Sequence, residues 1–472
     1  MARRTRDLTN ENTSTISNIL WLAWPLFLEQ ILSTLVSFAD TAMVGALGVN
    51  ATASVSISNS FVFLINGAVI AMGVGITAYV ARSVGARDYE AAKAYIRHAL
   101  LLLVMVGLPL CTVTAVLHRH IPAWMGAEPQ ILDDAADYVL ITSLFRIFTM
   151  AMMILGSVFR GRGDTKTPLR INIWVNIINV VGNYLLINPN HTITLGSLSI
   201  PMIGAGLGVQ GAALSTGFSW FVGGAVMTVM LFVKQDPTRI SLHESYKPDL
   251  PLIKRVVKLS FPAMLERICM SSAGIVVSKS IATLGTTVVA ANSVFSTAES
   301  MSYMPAFAFA TAVTTLVGQS LGAGKPKLAM KYTYHTNAIG AALLSLAGVG
   351  LYVFARPLVS IFTPDEAAIN LAEQCLKIAS FIQPIQTMAW IFAGALRGAG
   401  DTKWPFYITA FGNWAIRTVG AYLCIRVFHL GLPAAIVCMN MDNLCRCIFM
   451  FLRFRSGKWQ TAISDKNAKA AV

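Results

Sequence analysis

The sequence has few charged residues. Only 12% of its 472 residues are charged and 55% are hydrophobic, whereas a typical soluble domain has about 25% charged residues. So few charges could not cover the surface of a soluble globule of this size. Apolar runs of about 20 residues, each long enough to cross a bilayer core, recur along the whole chain. The composition therefore predicts an all-α polytopic membrane protein, whose first partner is the lipid bilayer.

Cysteines and acidic residues are also scarce. The seven cysteines have no spacing typical of a disulfide framework or a metal site. The 22 acidic residues are outnumbered by 36 Lys and Arg residues, which gives a net charge of +14. Such a charge can indicate nucleic-acid binding, but in membrane proteins Lys and Arg accumulate in cytoplasmic loops. Since no catalytic arrangement is visible either, we expect no nucleic-acid partner, no metal, no cofactor and no enzymatic activity.

Twelve apolar segments are predicted to be transmembrane helices. Loop charge supports this number, because alternate loops hold 27 Lys and Arg residues on one side and three on the other. We therefore expect a multi-pass protein of the cell's inner (plasma) membrane with both termini in the cytoplasm. The predicted spans are 17–45, 52–82, 93–118, 134–160, 167–188, 204–234, 254–283, 287–320, 330–356, 367–397, 405–427 and 429–455.

The chain contains an internal repeat. Residues 159–168 and 396–405 share the pattern Arg-Gly-x-Gly-Asp-Thr-Lys and lie 237 positions apart. The same offset relates Pro25 to Pro262, and it holds over about 150 residues. Six spans separate the copies, so both halves run in the same direction around an axis along the membrane normal.

The repeat predicts two pseudo-symmetric six-helix bundles with a central cleft between them. The predicted boundaries are an N-terminal bundle at 1–234, a cytoplasmic linker at 235–253 and a C-terminal bundle with its tail at 254–472. Rocking of one bundle against the other would expose the cleft to each side of the membrane in turn.

Five segments resemble a known transporter family. They are Ala39–Gly45, Gly208–Thr216, Val317–Lys325 and the two Arg-Gly-x-Gly-Asp-Thr-Lys copies. Together they resemble the multidrug and toxic compound extrusion (MATE) transporters, in the DinF-like branch. The resemblance implies a secondary exporter of small amphipathic, often cationic, organic compounds, coupled to protons or sodium; we expect a monomer. A related superfamily flips lipid-linked sugars, so a flippase for lipid-linked saccharides or peptidoglycan precursors is the alternative.

Asp40 is the first candidate for the coupling chemistry. An ionisable side chain inside a membrane helix is costly and therefore indicates function. A low-dielectric surrounding favours the neutral carboxyl group, so Asp40 could load a proton at one face and release it at the other. The alternative is a carboxylate solvated by headgroups, because Asp40 lies near the end of its helix.

A stripe of amides is the second candidate. Asn172, Asn176, Asn179 and Asn183 have spacings of 4, 3 and 4, which places them on one face of a helix. Each amide needs a polar partner in a membrane, so the stripe faces an ion or cavity, or it joins helices by hydrogen bonds.

The repeat separates these alternatives, because the polar set exists in one half alone. The offset maps Asp40 to Val277, Asn179 to Ile416 and Asn183 to Gly420. Packing residues should survive in both copies, whereas a cation site need exist once. We therefore predict a coupling site of Asp40, Asn179, Asn183 and Thr216. By resemblance, many family members have Asp at position 183, and the loss of that carboxylate favours protons over sodium.

Further residues are predicted to bend helices or to line the substrate cavity. Pro25 and Pro262 each remove one helix hydrogen bond and allow a bend, unless both lie in the first turns of their helices. The predicted cavity residues are Asn176, Glu266, Met270 and Glu299. Glu266 has an alternative structural role beside Arg267. Asp442 and Arg446 are spaced to pair on one helix.

Overall fold

The computed structural model describes residues 6–195 and 198–463, apart from the side chains of Leu64 and of residues 190–203. The tail residues 1–5 and 464–472, which were counted in the loop-charge prediction, lie outside the described residues. What is described is almost entirely helical, as predicted, with one antiparallel hairpin of β1 (Pro189–Leu195) and β2 (Leu198–Ala205) in the predicted loop after the fifth span.

The first half contains eight helices. Its fourth span is divided, because the helix bends by 52° at Phe145. The helices are α1 (Thr15–Gly45), α2 (Val49–Gly85), α3 (Tyr89–Val116), short α4 (His120–Trp124), α5 (Leu132–Leu144), α6 (Arg146–Gly161), α7 (Lys166–Ile187) and α8 (Gly208–Val233).

The second half repeats this order. Its helices are α9 (Leu250–Ala282), α10 (Thr286–Gly322), α11 (Pro326–Val353), short α12 (Ala355–Ser360), α13 (Glu366–Ser380), α14 (Gln383–Gly398), α15 (Lys403–Phe411), α16 (Val419–Tyr422) and α17 (Gly431–Arg455). Two π-helical segments, Gly412–Thr418 and Leu423–Val427, flank α16.

The helix boundaries confirm the predicted fold. Helices α2, α3 and α6 begin and end 237 positions before α10, α11 and α14. Eight described helices are long and apolar enough to cross a membrane, and α5 with α6 makes a ninth crossing. Helix α9, the pair α13–α14 and the run from α15 to the second π segment bring the number to the predicted twelve.

One exception to the symmetry lies in the eleventh span. Helix α7 is a continuous α-helix, whereas its counterpart contains both π segments. Such widened turns are rare and often occur at functional sites. Hydropathy could not predict them, because a π turn changes the hydrogen-bond register without changing composition.

The two described chain ends lie at one face of the protein, which we call the terminal face. Leu8 and Trp459 belong to the same hydrophobic cluster. The repeated loop motifs also lie there: Asp164 pairs with Lys234 at the end of α8, and Asp401 pairs with Arg453 in α17 at 2.7 Å. Each motif aspartate therefore ties its loop to the last helix of its own half.

The two halves contact each other closely at the terminal face. Gly85 of α2 packs against the Gln319 backbone, and Gly322 of α10 packs against the Arg82 backbone. The Gln319 amide donates to the carbonyl of Gly161 at 3.0 Å, across the interface. Because a β-carbon at either glycine would overlap the opposing backbone, the sequence permits this approach only with glycine.

Candidate functional site

The predicted coupling residues come together between α1, α7 and α8. The Asn183 amide donates to a carboxylate oxygen of Asp40 at 2.6 Å. One turn earlier on α7, the Asn179 amide donates to the Thr216 hydroxyl at 3.2 Å. Asn179 and Asn183 are 4% and 1% exposed, and Asp40 is half-buried. Asp40 therefore has a protein partner on α7.

Two acceptors at this site have no partner within the described part of the chain. They are the side-chain oxygens of Asn179 and Asn183, and both are buried. A buried unpaired acceptor is costly, so these oxygens suit a protonated group, a water or a cation. In the described ranges, no three His, Cys, Asp or Glu side chains lie together as metal ligands would.

The second half has an apolar surface at the equivalent place. Val277, the counterpart of Asp40, is 3% exposed in a hydrophobic cluster. Gly420, the counterpart of Asn183, packs against Cys438. The polar cluster therefore occurs once, although the helices that carry it occur twice.

A second carboxylate on α1 has the same kind of partner. The Asn172 amide donates to Glu29 at 2.7 Å, and Arg160 of α6 approaches the same carboxylate oxygen at 3.9 Å. Glu29 was outside the predicted site. Its spacing of 11 residues from Asp40, matched by Asn172 and Asn183 on α7, was the sequence signal that could have included it.

The predicted cavity residues are not gathered in one cavity. Glu266 is 4% exposed and accepts from Arg397 at 2.6 Å and from Thr409 at 3.1 Å. In this conformation it belongs to a buried ion pair, which agrees with the structural alternative, and a place in the cavity stays a prediction. Glu299 accepts a hydrogen bond from Gln383, while Met270 and Asn176 are half-buried.

An inter-bundle groove of about 480 Å³ lies between α1 and α10. Its lining carries six hydroxyl groups, one amide and no carboxylate. None of the predicted cavity residues lines it. The lining residues are Gln30, Thr34, Phe38, Ser293, Ser296, Thr297, Ser300, Tyr303 and Met304. Along both helices these residues recur at intervals of three or four, a spacing that places them on one face of each helix and could have predicted the groove.

The groove lies toward the face opposite the terminal face. Its lining on α1 begins at Gln30, the middle of the helix, and its lining on α10 ends at Met304, the middle of that helix. The close contacts at Gly85 and Gly322 lie on the other side of the interface, at the terminal face.

The second bundle carries a buried charge network of its own. Asp442 is fully buried and contacts Arg446 at 2.8 Å, as its spacing predicted, and also Arg417 at 2.9 Å. Arg417 lies in the first π segment. Arg417 and Arg446 thus share one buried carboxylate.

Pro25 and Pro262 lie well inside their helices. They follow the starts of α1 and α9 by ten and twelve residues. The alternative that both occupy first turns is therefore wrong. Each proline leaves the carbonyl one turn earlier in its helix without a hydrogen-bond donor. Pro25 lies four residues before Glu29, and Pro262 lies four residues before Glu266.

The chain is similar to known transporters over nearly its full length. A probable multidrug resistance protein NorM from Thermotoga maritima is 27% identical over 94% of this chain and 92% of that protein. The uncharacterized transporter YisQ from Bacillus subtilis is 24% identical over 93% and 94%.

Solved structures share the fold. A MATE transporter in complex with MaL6 has a TM-score of 0.88 at 20% identity, covering 98% of this chain and all of that one. A MOP superfamily transporter from Pyrococcus furiosus, reported with a binding pocket of reversed polarity, has a TM-score of 0.87 at 21% identity and covers 98% of this chain and 99% of that one.

The sequence model of the MatE family matches twice, at residues 25–185 and 262–423. The two matches begin at the two helix prolines, 237 positions apart, so the family unit coincides with the repeat. Members of this family are transporters and not enzymes. The two matches cover more than half of the sequence, and the chain therefore belongs to the MatE family of membrane transporters.

Proposed function

We propose that this protein is a secondary active exporter of small amphipathic organic compounds, driven by proton antiport. It works by alternating access, as a monomer of the DinF-like branch in the inner membrane, with the terminal face toward the cytoplasm. The relatives named for multidrug resistance support the substrate class. The basic loops at the terminal face support the orientation.

The observation that carries the proposal is the single Asp40–Asn183 pair. A carboxyl group at 2.6 Å from a buried amide can exist as the anion, which accepts that bond, or as the neutral acid. Conversion of the anion to the acid takes up one proton and alters the interaction between α1 and α7. Because the second bundle has Val277 and Gly420 at the equivalent positions, the coupling chemistry is assigned to the first bundle.

The ion is proposed to be H⁺, with Na⁺ as the alternative. The site offers one carboxylate, and hard cations bind best where several oxygen charges converge. The free amide oxygens of Asn179 and Asn183 are the feature that favours Na⁺. Imposed ion gradients therefore decide between them.

The flippase alternative is less well supported. Holding a pyrophosphate requires cations that are free to bind it. Arg397, Arg417 and Arg446 each contact a carboxylate. The groove between α1 and α10 is neutral and hydroxyl-rich, which suits an amphipathic compound.

The test is dye transport in proteoliposomes, with ethidium as the probe and either a pH gradient or a Na⁺ gradient as the driving force. We expect the pH gradient alone to drive uptake, and Asp40→Asn to reduce it by about tenfold or more. The control is Asp133→Asn, which removes an exposed carboxylate and should leave uptake unchanged. Normal proton-driven uptake by Asp40→Asn would refute the coupling site, and uptake driven by Na⁺ alone would refute proton antiport.

A further inference from the structure

Helices α1 and α7 are joined by two equivalent carboxylate–amide pairs. Asp40 accepts from Asn183 at 2.6 Å, and Glu29 accepts from Asn172 at 2.7 Å. In both pairs the partners are 143 residues apart in the chain. The 11 residues between the pairs correspond to about 16 Å along a helix, so Glu29 lies much closer to the terminal face than Asp40 does.

The pair nearer the terminal face is duplicated in the second bundle. Glu29, Arg160 and Asn172 correspond at the offset of 237 to Glu266, Arg397 and Thr409. In both bundles the arginine belongs to the repeated loop motif and approaches the carboxylate, while the polar residue of the fifth span donates to it. The duplicated set provides an internal control for what each carboxylate does.

The two sets differ in how the arginine is used. Arg397 contacts Glu266 at 2.6 Å, whereas Arg160 stays 3.9 Å from Glu29. Arg160 donates instead to the hydroxyl of Ser157, on its own helix, at 3.2 Å. The counterpart of Ser157 is Gly394, which has no hydroxyl. The Ser157 hydroxyl thus accepts from Arg160, which stays at a distance from Glu29. Gly394 offers no such acceptor, and Arg397 pairs with Glu266.

Glu29 therefore has a free oxygen. Its second carboxylate oxygen is buried and has no hydrogen-bond partner in the described part of the chain. A buried carboxylate with an unpaired oxygen is costly as an anion, and protonation removes the cost of its charge. Glu266 is paired with Arg397 at 2.6 Å, so its anion is already stabilised and protonation would bring no comparable gain in free energy.

The charged group that faces Glu29 is Arg160. Helix α10 contributes the apolar residues Phe309 and Val313 to the cluster that also contains Leu26 of α1. Helix α8 carries no ionisable side chain. The other ionisable residues on the helices packed against α1 are Tyr79 and Arg82 on α2, Lys166, Arg170 and Tyr184 on α7, Glu299 and Tyr303 on α10, and Lys327, Lys331, Tyr332, Tyr334, His335 and Tyr352 on α11.

From this geometry we infer that Glu29 is a second proton-binding carboxyl group of the transporter, at the terminal-face end of a route whose other end is Asp40. The inference rests on the proposed proton antiport. The carboxylate takes up one proton to become the neutral acid and later returns it. The stripe residues Asn176 and Asn179 lie between the two carboxyl groups on the same face of α7.

The position of Glu29 links its charge to the shape of α1. Pro25 interrupts the hydrogen bonds of α1 one turn earlier. Arg160, which faces Glu29 with its guanidinium, also accepts from Thr315 of the other bundle through its backbone carbonyl at 3.0 Å. Protonation of Glu29 therefore acts where α1 can bend and where the bundles touch.

The first test is infrared difference spectroscopy of the purified full-length protein between acidic and neutral pH. We expect wild type to show carboxyl bands that change with pH, and Glu29→Gln and Asp40→Asn each to lose a different one. Glu266→Gln is the matched control and should lose none. Superimposable spectra of wild type and Glu29→Gln would overturn the inference, as would the loss of a band in Glu266→Gln.

A second variant leaves Glu29 in place, in case Glu29→Gln does not fold. Ser157→Ala frees Arg160 to approach Glu29, and we expect the Glu29 band to titrate at a lower pH, because a nearby cation favours the anion. An unchanged titration would contradict the role given to Ser157 and Arg160. Glu29→Asp, which keeps the carboxyl group, should retain the band.

Transport distinguishes this inference from the proposed function. Glu29→Gln should reduce proton-driven ethidium uptake by about tenfold or more, while ethidium binding to the detergent-solubilised protein changes less than about twofold. If wild type does not transport ethidium but the Glu29 band is present, the exporter proposal fails and the proton site stands. If wild type transports and Glu29→Gln transports equally well, the reverse holds.

Discussion

The two bundles place their helices alike and their charges differently. In the first bundle, the carboxylates Asp40 and Glu29 are held by the amides of Asn183 and Asn172. In the second, Glu266 and Asp442 are held by arginines at 2.6 to 2.9 Å, while Glu299 accepts from the amide of Gln383. An amide donates to a carboxylate without fixing its charge, whereas an arginine keeps the carboxylate ionised.

The partner of a buried carboxylate decides whether the carboxylate serves stability or can change its protonation. A buried ion pair contributes little net stability, but removing one partner leaves an uncompensated charge and is strongly destabilising. A carboxyl group with a neutral partner can lose or gain its proton with a smaller penalty. The ion pairs of Glu266 and Asp442 therefore have the features of a fixed frame, whereas Asp40 and Glu29 have those of groups that can change protonation.

The largest expected effect comes from breaking the charge network of the second bundle. Asp442→Asn leaves Arg417 and Arg446 without their shared carboxylate, so we expect the free energy of unfolding to fall by about 3–5 kcal/mol. Asp40→Asn should change it by about 1 kcal/mol or less. Chemical unfolding of both variants in detergent measures this, and equal losses would contradict the comparison.

The next effect compares the two motif arginines. Arg397→Met leaves Glu266 buried without its ion pair, and we expect a loss of about 3 kcal/mol. Arg160→Met leaves Glu29 with its hydrogen bond from Asn172, and we expect a loss of about 1 kcal/mol. The same unfolding measurement applies. A larger loss for Arg160→Met would show that the 3.9 Å contact is the stronger one.

A smaller effect is expected where the bundles are alike. Gly322→Ala would press a β-carbon against the Arg82 backbone, and Gly85→Ala against the Gln319 backbone. Overpacking typically costs about 1–3 kcal/mol, and here separation of the bundles at the terminal face relieves it. We expect both variants to increase maleimide labelling of a cysteine placed at Ser320, which is buried at this interface. Gly45→Ala, with open space around it, is the control and should not.

Much of the shared frame could be predicted from the sequence. Hydropathy and loop charge predicted twelve spans, because the length of a membrane helix and the position of a loop depend on local composition. The offset of 237 predicted the repeat. The bend at Phe145 and the π segments around α16 could not be predicted, since they depend on packing between helices.

The candidate site was predictable where a broken repeat marked it. The polar set that the second half lacks was predicted to form one site, and its residues do lie together: Asp40, Asn179, Asn183 and Thr216. Their role in coupling stays a prediction. The partners of Glu266 were not predictable in the same way. Arg397 is 131 residues away, and only the fold shows that Gly394 leaves it free to reach Glu266.

The smallest expected effect concerns the segments that precede α1 and α9. Asp7 pairs with Arg87 at 3.3 Å, and its counterpart at the offset of 237, Glu244, pairs with Arg97 at 3.2 Å. The hydroxyl of Thr9 donates to Asp7 at 2.7 Å and, with the Thr9 backbone N–H and Arg87, holds the pKa of Asp7 below its usual value.

A carboxyl group whose pKa is lowered by folding stabilises the folded state above its unfolded pKa, and this contribution is lost as the pH falls through the folded value. Asp7 is half exposed, so screening by solvent limits the contribution to about 0.5 kcal/mol. We expect Asp7→Asn to lower the free energy of unfolding by that amount at pH 7 and by progressively less as the pH falls below the usual aspartate pKa of about 3.9. Unfolding measured at both pH values tests this, and an effect that grows on acidification would show that another group anchors the segment.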